Sequence, residues 1–138
     1  MSARRLDPWG WVFLIVGVGT LANALWMLVG PLHWYTDLPA GVPDTGPFNP
    51  HFVRDIGCAF LSIGVALTWA ARSHTFRIPL VTIAALFLGA HALLHAYDTL
   101  RGALEHHHFW LDLPGVYLPA ALIVGAAVSL ARRAGGSD

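Results

Sequence analysis

Residues Trp9–Leu32 read WGWVFLIVGVGTLANALWMLVGPL, without one charged side chain. Crossing the hydrocarbon of a bilayer takes about 20 apolar residues of helix, and this run is long enough. Three more runs follow, over about 51–71, 76–98 and 112–132. The second is free of charge only from Ile56, because Arg54 and Asp55 lie in its first turns. In lipid every backbone N–H and C=O must be bonded inside the segment, which makes each run a helix. The links between them are too short for anything but antiparallel neighbours. The fold expected is therefore all-α, an antiparallel bundle of four transmembrane helices over about 9–32, 51–71, 76–98 and 112–132. Residues 1–138 form one domain with the lipid bilayer as its main partner.

Composition agrees. Apolar residues make up 56% of the chain and charged ones 12%, against about 25% charged in soluble domains. The net charge of zero gives no reason to expect a nucleic-acid partner. Arg4 and Arg5 before an apolar run, with Ala22-Asn23-Ala24 further on, mimic a secretory leader. The run continues to Leu32, too long for an ordinary leader, so a retained helix is expected.

All eight basic residues are Arg, and six of them sit at one set of helix ends. Arg4 and Arg5 precede helix 1, Arg72 and Arg77 bracket the link between helices 2 and 3, and Arg132 and Arg133 follow helix 4. Only Arg54 and Arg101 lie at the other ends. Basic residues mark the cytoplasmic side. A bacterial inner-membrane protein with both termini cytoplasmic follows.

The opposite end gathers the histidines. Three times the chain writes His, an aromatic, two residues, Asp: His33 to Asp37, His51 to Asp55 and His108 to Asp112. A fourth cluster is His91, His95 and Asp98. Of the eight histidines only His74 lies on the Arg-rich side. Polar side chains at the edge of a bilayer are costly, and their gathering on one side points to a site. The link 33–50, rich in Pro and Gly, has no helical pattern and reads as a structured cap. Asn49-Pro50 reads as a helix start, an N-cap with proline at N1. Asp112 with Pro114 offers a similar start for helix 4, which makes Asp112 a cap or a ligand.

Residues i, i+4 and i+7 share a helix face. His91, His95 and Asp98 have that spacing, and so do His51, Asp55 and Cys58. The two helices run oppositely, which places Cys58 and His91 at similar depth. If the faces meet, they line one shaft, with His33, His108 and Asp112 near its mouth. Imidazole and carboxylate together suit a transition metal. The candidate ligands are His51, Asp55, His91, His95, Asp98, His108 and Asp112, and the ion is zinc, iron or copper. His106, His107 and His108 together read as a solvated loop that supplies at most one ligand, with His107 replaceable. A metal-assisted hydrolysis or a redox reaction on a small or lipid-soluble substrate would fit, and the sequence leaves open whether the protein is an enzyme. It shows no Ser-His-Asp spacing and no phosphate loop.

Two other readings stand beside this one. A b-type haem needs axial histidines on facing helices, which His51 with His91 or His95 would supply. Without a cofactor, the same residues would be a proton relay, the polar lining of a small-molecule pocket, or the contact surface of an accessory subunit in a larger membrane complex. Ala121, Gly125 and Ser129 form a small-residue stripe on helix 4 that permits close packing, within the bundle or against a second copy.

The stretch His51-Phe-Val-Arg-Asp-Ile-Gly-Cys-Ala-Phe-Leu-Ser-Ile-Gly64 opens helix 2 with a charged pair and then glycines. It resembles small bacterial four-helix membrane proteins of the DoxX-like kind, whose length and hydropathy are similar. The resemblance implies an inner-membrane bundle. The His-rich end is not part of it.

The Arg distribution yields a test of orientation. A reporter fused after Asp138 is expected to be active in the cytoplasm only. Activity on the other side of the membrane would reverse the side given to the histidines.

Overall fold

The computed structural model describes residues 5–136; Arg4 and Asp138, used above, lie outside them. Four helices are long and apolar enough to cross a membrane: Pro8–Val29, Pro50–Arg72, Arg77–Leu100 and the composite His108–Gly135. We label the elements α1 (Pro8–Val29), α2 (Pro31–Asp37), α3 (Pro50–Arg72), α4 (Arg77–Leu100), α5 (His108–Asp112) and α6 (Leu118–Gly135). A short 3₁₀ turn, Val42–Thr45, lies between α2 and α3, and a π turn, Leu113–Tyr117, joins α5 to α6. The all-α bundle is as expected. Its strongest pairings are α1 with α3 and α4 with α6, and α3 against α4 holds the two pairs together.

Glycines decide how α1 and α3 meet. A Cβ on Gly17 would come within 3.0 Å of the Thr68 backbone, one on Gly57 within 3.1 Å of Met27 Cβ, and one on Gly64 within 2.7 Å of Leu21 Cγ. Small residues let helix backbones approach where no hydrophobic force drives them together. The buried core beyond that contact is Phe13, Ile63, Leu67, Val81, Leu88 and Ile123 with alanines between them.

Helix ends follow local chemistry, with two departures from expectation. Asn49 Oδ1 accepts from the backbone N–H of His51 and Phe52, both at 3.1 Å, so the expected start of α3 forms. The first departure is at Gly30-Pro31. The chain breaks there and starts a new short helix, so His33, Trp34 and Asp37 are helical rather than part of an irregular link. Trp34 Nε1 donates to Asn23 Oδ1 at 2.8 Å and ties α2 back to α1. The second departure is at the last span. It begins at His108, so Asp112 is inside a helix and makes no capping bond.

At the Arg-rich end one guanidinium closes the bundle. Arg77 is 4% exposed. Its Nε and Nη2 donate to the carbonyls of Ala70 and Ala71, at 3.1 and 3.3 Å, groups left unbonded by the end of α3. Its Nη1 donates to Asp7 Oδ2 at 2.6 Å, and Asp7 is itself the N-cap of α1 through the Gly10 N–H at 2.7 Å. The guanidinium also lies over the Phe13 ring at 5.6 Å.

This latch predicts a pH dependence. The Arg77 hydrogen bond holds the Asp7 carboxyl below its ordinary value of 3.8. A depressed carboxyl contributes stability that is present above its unfolded value and lost as pH falls through its folded one. Asp7 is partly exposed, so screening reduces the effect. The Tm gap between wild type and Asp7→Asn in detergent is expected to be constant from neutral pH to about 4 and to close below that. Arg77→Met leaves two carbonyls without a donor and should cost about 1–3 kcal/mol.

Candidate metal centre at the histidine-rich end

The three His-aromatic-x-x-Asp repeats meet different fates. In the first, His33 Nε2 lies 2.9 Å from Asp37 Oδ2, and Trp26 Nε1 donates to His33 Nδ1 at 2.8 Å. Both ring nitrogens are engaged, which makes His33 a tie between α1 and α2. In the second, His51 Nε2 lies 3.3 Å from Asp55 Oδ2, with the two side chains 87% and 59% exposed. The third does not pair with itself. His108 and Asp112 are buried at 1% and 2% exposure, and each finds a partner on another element.

His108 reaches the cap. Its Nε2 is 3.2 Å from Asp44 Oδ2, and its ring centre lies 4.8 Å from that of His107. Ligand atoms of Asp44, His107 and His108 all fall within 4.8 Å of one another, the one such group of three or more among the described residues. Glu105 stands beside it, with Oε2 3.2 Å from His107 Nδ1. The cap is held in place by Tyr35, whose hydroxyl donates to the Gly46 carbonyl at 2.8 Å and whose ring packs on Phe48 at 5.2 Å. Gly41 is left-handed, at φ 63°, and a Cβ there would sit 2.8 Å from His108 Cε1. Only glycine allows both that backbone angle and that approach.

Asp112 reaches α4. Its Oδ2 lies 2.8 Å from His95 Nδ1. His95 in turn meets His91, ring centres 4.6 Å apart and nearly edge to face. His91 is stacked on Phe87 of its own helix and edge-on to Phe60 of α3. Next to this cluster, α4 and α6 leave an apolar groove of about 490 Å³, lined by Gly89, Ala92, Ala96, Ala120, Ala121 and Tyr117 among others. The Tyr117 hydroxyl is buried there without a hydrogen-bond partner among the described residues.

The placement of the expected ligands is therefore mixed. His91, His95 and Asp112 come together, and His108 lies one turn from Asp112. His51 and Asp55 pair on an exposed face instead of meeting α4, and Cys58 is exposed; α3 offers Phe60, not Cys58, to His91. The facing histidines that a haem reading needs, His51 with His91 or His95, are not in contact among the described interactions. Asp98 is bonded to Arg101 at 2.8 Å. Arg54 donates to the Leu28 carbonyl at 3.3 Å and leaves Asp55 to His51. Of the small-residue stripe, Ala121 lines the α4–α6 groove, and a Cβ on Gly125 would meet nothing within 4 Å.

Asp44 and His107 were missed as partners. Sixty-four positions separate Asp44 from His108, and a link without periodicity gives no register by which to bring them together. Gly41 was the available signal, as a glycine in a Pro-rich link that holds a tight turn. No family model, curated protein or solved structure matches this chain.

The Gly41 contact can be tested apart from any ligand. Gly41→Ala is expected to loosen the cap and speed limited proteolysis within residues 38–49. Gly19→Ala, on α1 with open space around it, should leave the cleavage rate at the wild-type value.

Proposed function

We propose that this chain is a bacterial inner-membrane protein that binds a transition-metal ion at its extracytoplasmic end through Asp44, His107 and His108. Orientation rests on the Arg distribution, and the DoxX-like resemblance on the His51–Gly64 stretch alone. The observation that carries the metal reading is the convergence of three ligand atoms within 4.8 Å on a histidine that is 1% exposed. Two imidazoles and a carboxylate are a donor set for zinc, iron or copper. Three protein ligands leave a fourth position open, the pattern of catalytic rather than structural zinc. Zinc so held activates water near neutral pH, so metal-assisted hydrolysis of a small substrate arriving from the aqueous side is the reaction class that fits best. Asp44 and His107 are exposed and give such a substrate access.

The test is metal content and zinc affinity of the full-length chain purified without a His tag. Asp44→Asn and His107→Ala should each weaken one equivalent at least tenfold, and His106→Ala should not. If His106→Ala and His107→Ala bind alike, or wild type takes up no zinc, iron or copper after supplementation, the cap is not a metal site.

A further inference from the structure

The cap cluster leaves unused a buried carboxylate, Asp112, and two half-buried histidines, His91 and His95. One turn along α5 from His108, Asp112 is 2% exposed and bonded to His95 Nδ1 at 2.8 Å. Where Asp112 acts as a carboxylate it can only accept, and the Nδ1 tautomer of His95 is then the donor. The lone pair of His95 is then on Nε2. Metal-bound histidines are oriented in this way, with the second ring nitrogen given to a carboxylate that fixes tautomer and ring angle.

His91 stands one helical turn before His95 on the same face. Two imidazoles on one ion, with metal–nitrogen distances of about 2.0–2.1 Å, bring their ring centres to roughly 4.5–5.5 Å. Here the centres are 4.6 Å apart with an interplanar angle of 67°. Phe87 against one face of His91, at 5°, and Phe60 against its edge, at 88°, hold that ring in place. Each ring thus has its own restraint, His91 from the two Phe rings and His95 from Asp112.

We propose that His91 and His95 form a second transition-metal site inside the bundle, with Asp112 as its positioning residue. It shares helix α5 with the cap but none of the cap's ligands, so either site can fail without the other. Asp112 acts through His95 and does not touch the ion, in keeping with the absence of this trio from the three-ligand groups among the described residues. Two protein ligands leave further positions for water or an added ligand. An imidazole-only site of this kind favours copper or zinc over calcium or magnesium, which take oxygen.

The experiment uses the full-length untagged chain carrying Asp44→Asn and His107→Ala, which disables the cap. Copper(II) is titrated in and followed by electron paramagnetic resonance. One equivalent should bind, with superhyperfine splitting from two imidazole nitrogens. His91→Phe, which keeps a ring between Phe60 and Phe87, should reduce the signal to one nitrogen or abolish binding. Asp112→Asn should weaken affinity 10–100-fold, with helicity by circular dichroism checked in each variant. His74→Ala, at the Arg-rich end, should change nothing. The second site is overturned if the cap-disabled chain binds no copper, or if its signal survives His91→Phe unaltered. It is also overturned if a folded Asp112→Asn chain binds as tightly as its parent. Failure of the cap itself would show differently, as an unchanged total ion count when Asp44 and His107 are replaced.

Discussion

A carboxylate inside an apolar bundle must have a partner, and Asp112 is that carboxylate. Its side chain is 2% exposed, and an unpaired charge there would be far costlier than a surface one. The partner is His95, which makes α4 the helix that α5 must meet. That bond joins α5 to α4 at the histidine-rich end. The chain then has to return to a lipid-facing α6 whose buried stripe is Ala120, Ile123 and Ala126. The π turn at Leu113–Tyr117 inserts the extra residue that changes the helix face between these two demands. Pro114 within it has no N–H to lose, which makes this stretch the natural place for the ladder to widen.

The Arg-rich end obeys the same rule with the sign reversed. Arg77 is buried, so every side of its guanidinium is used: two α3 carbonyls, the Asp7 carboxylate and the Phe13 ring. The two ends differ in what remains free. Arg77 spends its donors on structure. At the opposite end His95 keeps one ring nitrogen uncommitted, and His107 and Asp44 keep exposed edges. Chemistry is possible only where partners are left over.

Much of this was legible in the sequence. Long charge-free runs dictate helices, because lipid offers the backbone no other partner. Asn49-Pro50 marked the start of α3, and the clustering of histidines at one end came from the spans alone. What the sequence could not give was which face of each helix looks inward. Lipid and core are both apolar, so periodicity is silent on that point. Matching His51, Asp55 and Cys58 to α4 by depth therefore chose the wrong face of α3. Gly57 and Gly64 held the better clue. They turn toward α1, which leaves Phe60 to face His91.

The repeated pattern shows why spacing alone is not enough. His33–Asp37 and His51–Asp55 are exposed, and there the nearest opposite group is the one four residues along. Such pairs contribute little. His108 and Asp112 have the same spacing on the same kind of helix, yet burial brings them against α4 and the cap, where other partners are within reach. Each then engages a different cluster. Because they are one turn apart, roughly 6 Å along the axis, α5 is a spacer between the exposed group at Asp44 and the half-buried pair on α4. A displacement of α5 along its axis would change both sets of distances together. The left-handed turn at Gly41 packs against His108, and the His95–Asp112 contact holds the other end of α5.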